Sequence, residues 1–526
     1  MTISWGKGGA WGLLFLAAAV PLVSFAEDPV PAPPAAPSAP VASSSDPVAN
    51  SVVKVFSTVL VPQYYKPWTK GSPSEQTGSG VVIGGHRILT NAHVVLYARE
   101  VQIQANQGGD RVSATVEAIA PGIDLAVLKL DDERFFDTHL PLAEAKGLPQ
   151  IKDPVMVYGY PKGGDTLSIT KGIVSRIEFA TYNNAVRGLR IQIDAAVNPG
   201  NSGGPAVAGD KMVGLAFSHL GDSENIGYII PCEEIDLFLQ SIAGSSYAGK
   251  PALYDEFQTL QNPALRAFLK LDKATQGILV HKPFDPSDAY PLKEWDLVTK
   301  IGDAPVDDQG MVASGDDLHL FFLYMVQKTV RDGKVPLTVL RNGKELRVDV
   351  PALSSRPSIT PPLEGTYPSY FILGPLVFSE VTREYMGGYI TATNGADLLA
   401  RAAFRMNPMV VRWGDRPEFD GERLVVVASP FFADKLAQGY SSPSGRVVRN
   451  VNGVPIRNLR HLVEIVRDSK DEFIQIETAD LFGETLVFRR EELLAETDKI
   501  LSDNGIRSQG SSDALGVWNA GAAKAP

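Results

Sequence analysis

The sequence predicts a mainly β protein: one large β unit followed by two smaller α+β units. Three observations predict it. Between Ser51 and about Asp210, short apolar runs alternate with Gly-rich turns, the pattern of a sandwich or barrel. Two later stretches repeat an order of strand, helix and closing hairpin. The length of 526 residues also exceeds one ordinary core, at roughly 100–200 residues per domain. Hydrophobic content of 44% and charged content of 21% are those of a globular chain, and a net charge of -11 argues against nucleic acid or an anionic membrane as partner.

Residues 1–26 read as a signal peptide. Lys7 is a short positive region, Trp11 to Val23 is apolar, and Ser24-Phe25-Ala26 supplies small residues before a cut. An uncleaved anchor is the competing reading, but the run is short of the ~20 residues a span needs. No cysteine follows the run, so a lipoprotein anchor is not expected, and export without a stable membrane anchor is. Residues 27–49 are rich in Pro, Ala and Ser and read as a flexible linker. Cys232 is the one cysteine, which rules out an internal disulfide and a Cys-rich zinc site; its apolar neighbours predict a buried, inert thiol.

The large unit is expected over residues 50–245. Its strands include Val52 to Val61, Ser79 to Ile83, Arg87 to Thr90, Leu125 to Leu130, Val155 to Tyr158, Leu189 to Ile193 and Met212 to Phe217, with a helix at Glu233 to Ala243. The second unit spans 250–352. It has helices at Pro263 to Leu271 and Asp316 to Thr329, strands at Gly277 to Val280 and Leu297 to Ile301, and a hairpin turning on Asn342-Gly343. A Pro-rich linker, 353–368, precedes the third unit at 369–495. There Arg423 to Ala428 reads as a strand and Leu459 to Arg467 as a helix. Residues 496–526 read as a polar, loose tail.

Chemistry concentrates in three segments. Asn198-Pro199-Gly200-Asn201-Ser202-Gly203-Gly204-Pro205 surrounds a serine with glycines. Glycines let the backbone turn so that the N–H groups of Gly200 and Ser202 converge on one point, an oxyanion hole. The segment also fits the G-x-S-x-G elbow, which requires a helix after the serine and the order Ser, acid, His. A strand and a turn follow instead, and the candidate histidine and acid lie upstream. Taken alone, the segment is also compatible with a merely structural Gly-rich turn. Thr90-Asn91-Ala92-His93 puts a histidine where a strand ends, and Asp124 opens the apolar strand Leu125 to Leu130. The order His93, Asp124, Ser202 is that of the chymotrypsin-type double barrel. No H-E-x-x-H is present, so neither a metal nor any other cofactor is expected.

These motifs resemble the HtrA/Deg serine proteases, nearest to the plant-type branch with two PDZ domains. Tyr158-Gly159-Tyr160-Pro161, Gln192-Ile193-Asp194-Ala195-Ala196 and Asn225-Ile226-Gly227-Tyr228-Ile229-Ile230-Pro231 extend the likeness. The resemblance implies a chymotrypsin-like double β-barrel followed by two PDZ-like α+β domains. It implies a Ser-His-Asp endopeptidase acting on unfolded or misfolded proteins without ATP, assembled as a homo-oligomer of trimers or their multiples, in the periplasm. Phe56, Tyr64, Tyr65 and Trp68 are either its oligomer contacts or ordinary core and loop aromatics. The substrate pocket is implied near Ala196, Ile226 and Ile229, with a preference for small or medium aliphatic residues. Loops at Ile177 to Gly188 and His219 to Asn225 are the implied activation elements. The stretch Leu253-Tyr254-Asp255-Glu256 matches a PDZ carboxylate loop, and its two acids are expected to repel a peptide C-terminus. The competing function is a non-enzymatic chaperone or scaffold built on a protease fold.

Overall fold

The computed structural model describes residues 46–105, 109–182, 186–217, 227–244, 246–315 and 318–520. The expected signal peptide, most of the linker and the His219 to Asn225 loop lie outside the described residues. The linker ends earlier than expected. Asp46 caps a one-turn helix α1 (Pro47–Asn50), accepting from the Val48 N–H at 2.9 Å, and Val48 is already buried in the barrel core.

Two closed barrels follow. The first consists of β1 (Val52–Val59), β2 (Ser74–Ile83), β3 (Arg87–Thr90), β4 (Ala98–Ala105), β5 (Val112–Ala120) and β6 (Leu125–Leu130), closing in the order β1-β2-β3-β6-β5-β4. The one-turn helix α2 (Ala92–Val95) follows β3. The second barrel consists of β7 (Pro154–Gly159), β8 (Ser168–Thr181), β9 (Arg187–Ile193), β10 (Pro205–Ala208), β11 (Lys211–Phe217) and β12 (Gly227–Pro231), in the order β10-β11-β12-β9-β8-β7. Closure leaves no free sheet edge. Strands with a polar outer face, β4, β5 and β8, are not expected from the sequence, because their apolar residues alternate with polar or charged ones and form no continuous run. Helix α3 (Cys232–Ile242) closes the unit; Cys232 is buried and burial pushes its thiol well above the usual range.

The second unit is a six-stranded antiparallel sheet whose closing hairpin, Lys334–Arg341 with Lys344–Pro351, turns on Asn342 and Gly343 at φ 50° and 75°. The helix expected over Asp316 to Thr329 is largely absent. Residues 316 and 317 lie outside the described residues, His319–Phe321 pairs with Met311–Ala313 as a strand, and only Phe322–Met325 and Val326–Thr329 are helical. The cause is tertiary: Leu320 and Tyr324 are drawn into the core of the second barrel, and Glu233 on α3 accepts from the Tyr324 hydroxyl (3.1 Å) and Gln327 Nε2 (2.9 Å).

The third unit pairs a three-stranded sheet (Tyr370–Leu373, Leu376–Glu380, Val425–Val427) with a four-stranded one built around Val448–Val451 and Phe473–Thr478. It carries helices between Arg383 and Val411 that the second unit lacks, so the two copies have diverged. The helix Leu459–Asp468 follows the expected pattern. Asn458 caps it, and Leu459, Leu462, Val463 and Val466 make its buried stripe. The expected loose tail is instead structured. The helix Arg490–Asp503 runs through residue 495, and Ser512–Ala520 docks through buried Ala514 and through Trp518, whose ring lies 5.2 Å from Phe371.

The aromatics left open between two readings are mostly engaged within the chain. Tyr65 packs edge-on against Tyr385 (4.9 Å) and Tyr389 (5.7 Å), Trp68 lies against Phe432 (5.3 Å), and Tyr64 joins the same cluster of the third unit. Phe56 instead lies under the Arg111 guanidinium at 3.7 Å.

Trp518→Ala is expected to cost the third unit about 2 kcal/mol, read as a lower urea midpoint followed by fluorescence of the remaining tryptophans. A tail that contributes nothing to the fold would leave the midpoint unchanged.

Candidate active site

Strand β3 delivers the chain to Thr90, and Asn91 in extended conformation turns it into α2, which carries His93. Asn91 is fully buried, and its Nδ2 donates to the Asp124 carbonyl at 2.9 Å. This bond ties the end of β3 to the turn that opens β6. Asp124 sits in that turn at φ 57°, a left-handed conformation that Asp tolerates better than most residues.

The turn aims the Asp124 carboxylate at His93 twice. Oδ1 accepts from the His93 main-chain N–H at 2.9 Å, and Oδ2 accepts from ring Nδ1 at 2.8 Å. Nδ1 therefore carries its proton, and Nε2 is left as the basic nitrogen. The carboxylate is 5% exposed while the imidazole is 45% exposed, so a fixed buried charge serves a reachable base. Burial pulls the imidazole pKa down, but the hydrogen bond and charge of Asp124 outweigh it, and the net direction is above 6.5.

Ser202 lies in the loop between β9 and β10. The loop is bonded to itself through Asn201 N to Asn198 O (3.0 Å) and Gly204 N to Asn201 O (3.0 Å), and to β11 through Gly203 N to Ala216 O (2.8 Å). Gly200 and Gly203 have φ of 103° and 87°. A methyl at Gly203 would lie 2.1 Å from the Ser79 carbonyl oxygen, and one at Gly204 2.0 Å from that of Tyr158. The glycines are there because the loop is pressed against two strands.

The remaining expected positions are not gathered in the same way. Ala196 is exposed and its carbonyl accepts from Thr170 Oγ1 (2.9 Å); Ile229 is fully buried in the second barrel's core; Ile226 lies outside the described residues. Of the two acids expected to repel a peptide carboxylate, Asp255 is internal. It accepts from the Phe284 N–H (2.8 Å) and the Tyr290 hydroxyl (3.1 Å), so only Glu256 faces solvent there. Among the described residues, no group of three or more His, Cys, Asp or Glu side chains has the arrangement of a metal site.

The chain matches the family description "Trypsin-like peptidase domain" over residues 78–215 and "PDZ domain" over 360–513. It is 36% identical over 448 residues to Protease Do-like 4, mitochondrial, of Arabidopsis thaliana, covering 85% of this chain and 81% of that one. It is 35% identical over 475 residues to Protease Do-like 2, chloroplastic, of the same plant, covering 89% and 75%. The chain belongs to the HtrA/Deg (Do-like) family of serine proteases. This Deg protease is a serine endopeptidase, and the scaffold reading is set aside. Among solved structures it is similar to an HtrA-type protease AlgW with decapeptide, at 24% identity and a TM-score of 0.45, covering 59% of this chain and 98% of that one.

The upward direction of the His93 pKa sets a pH profile for the Deg protease. A base must be unprotonated to work, so activity is present above the raised pKa and lost as pH falls through it. The acid limb of kcat/KM is expected to have its midpoint above 6.5. Asp124→Asn is expected to move that midpoint down and to lower kcat by ~10³–10⁴-fold. An unmoved midpoint in the variant would show that another group titrates.

Proposed function

We propose that this Deg protease degrades unfolded or damaged proteins without ATP, using His93, Asp124 and Ser202 as a catalytic triad. The observation that carries the reading is the pair of hydrogen bonds that the buried Asp124 carboxylate accepts from the ring and main-chain N–H of His93. In the acylation half, Ser202 Oγ attacks the scissile carbonyl and its proton passes to His93 Nε2. Asp124 stabilises the resulting imidazolium, and the N–H groups of Gly200 and Ser202 hold the charge on the carbonyl oxygen. The tetrahedral adduct collapses as His93 returns the proton to the leaving amine, leaving an acyl group on Ser202. Water then repeats the sequence and frees the enzyme. Hydrolysis needs no nucleotide, and an unfolded chain needs no work to reach the site.

A preference for small or medium aliphatic residues is assigned from the family resemblance, which places the substrate pocket near Ala196, Ile226 and Ile229 with no acid to receive a basic side chain. Control is assigned to the PDZ units and to assembly into a trimer or a multiple of trimers. The clasp of Tyr324, Gln327 and Lys328 on Glu233 supports the first of these, because it ties the second unit to the helix that closes the protease barrels. Residues 1–26 are assigned to export from the cytosol. The destination is the periplasm in a bacterial cell; the two plant relatives are named as mitochondrial and chloroplastic.

Purified protein is expected to degrade casein in the absence of ATP, and Ser202→Ala to reduce the rate ~10³-fold or more. Casein cleavage that survives the substitution would refute the assignment of the nucleophile. In a peptide library, Val, Ala or Ile is expected before the cleaved bond; a preference for Lys or Arg would overturn the pocket.

A further inference from the structure

Ser79 lies in β2 with a glycine on each side and has no exposed surface. Four hydrogen bonds converge on it. Its N–H donates to the Ser202 carbonyl (2.8 Å) and its Oγ donates to the Gly200 carbonyl (2.7 Å). The same Oγ accepts from the Tyr160 N–H (2.8 Å), and its own carbonyl accepts from Thr90 Oγ1 (2.7 Å). One buried residue is thus bonded to the nucleophile loop, to the segment after β7 and to the strand that ends three residues before His93.

The placement bears on the oxyanion donors. The Ser202 N–H belongs to the peptide between residues 201 and 202. The peptides on either side of it carry the Gly200 and Ser202 carbonyls, and both are anchored on Ser79. With its two neighbours held, the middle peptide has little freedom to turn its N–H away. The side chain within this stretch does not share the task. Asn201 is fully buried, and neither its Oδ1 nor its Nδ2 has a partner among the described residues. The loop's own main-chain bonds, among them Gly204 N to Asn201 O at 3.0 Å, hold it from within, and Ser79 adds the anchors from the first barrel on the two flanking carbonyls.

We propose that Ser79 is a positioning residue for the reaction: it sets the direction of the Ser202 oxyanion N–H and couples the Ser202 loop to β3, the strand that leads into the helix carrying His93. It acts through the backbone of Gly200 and Ser202 and touches no substrate. The inference rests on Ser202 being the nucleophile with those two N–H groups as oxyanion donors.

The test uses the full chain with Ser79→Ala, which removes both hydroxyl bonds and keeps the main-chain bond to Ser202. The kcat for a short peptide is expected to fall about 10- to 100-fold. KM is expected to stay within about twofold. Affinity for a peptidyl boronic acid, which occupies the tetrahedral geometry, should fall by the same factor as kcat. The acid limb of the pH profile should not move, because the His93–Asp124 bonds are untouched. Thr90→Val, nearly isosteric, removes only the bond to the Ser79 carbonyl and should show the same signature at smaller size. A lowered Tm with wild-type kcat and boronate affinity would overturn the proposal by assigning Ser79 to packing alone. If Ser79→Ala does not fold, wild-type boronate affinity in Thr90→Val overturns it equally. Full cleavage by Ser202→Ala would instead sink the triad itself, so the two failures are told apart.

Discussion

The proposed active site depends on the seam between the two barrels. His93 and Asp124 belong to the first barrel and Ser202 to a loop of the second, so neither barrel holds a complete set. What crosses the seam is short and buried: the Ser79 N–H on the Ser202 carbonyl at 2.8 Å, and the Gly203 backbone pressed against β2. The contact requires residues without side chains on one strand and one loop at once. Gly78 in β2 leaves that room, since a methyl there would lie 3.2 Å from the Ser202 carbonyl oxygen and below 3 Å from Val94, while Gly80 makes room for Ile88 within the first barrel. Lys54 adds a polar tie, reaching from β1 with its Nζ 2.8 Å from Asp165 in the β7–β8 loop.

Within the first barrel the geometry is fixed by unusual backbone rather than by flexible side chains. Asp124 is held at positive φ, and Asn91 answers its carbonyl while Asp124 answers the His93 N–H. The reciprocal pair makes the start of α2 and the turn before β6 one rigid piece. A base oriented in this way costs little reorganisation when a proton arrives, which is how preorganised sites lower a barrier.

The proposed triad is legible in the chain because its residues sit in short motifs whose spacing follows strand ends: His93 after β3, Asp124 before β6, Ser202 between glycines. Half-buried strands such as β4 and β8 were less legible, since alternation over a few residues is weak beside a continuous apolar run. The pattern over Asp316 to Thr329 reads as one helix, but its described part is decided by packing of Leu320 and Tyr324 on another unit, which no local pattern records. The same holds for the tail, whose docking on Phe371 is a long-range contact, and for Tyr65, whose partner Tyr385 lies far along the chain. In the sequence Ser79 reads as an ordinary strand residue. The signal that marks it is the glycine on each side, which in a strand points to unusually close packing by a neighbour, here Val94 and the Ser202 carbonyl at Gly78 and Ile88 at Gly80.

The central claim, that Ser202 is activated by His93 across the barrel seam, is tested most directly by its reactivity. Full-length enzyme treated with a fluorophosphonate and digested for mass spectrometry is predicted to carry one adduct, on the peptide containing Ser202, formed at a rate that falls as His93 is protonated. An adduct on another serine, or labelling of Ser202 at a rate indifferent to pH and to loss of His93, would contradict the account.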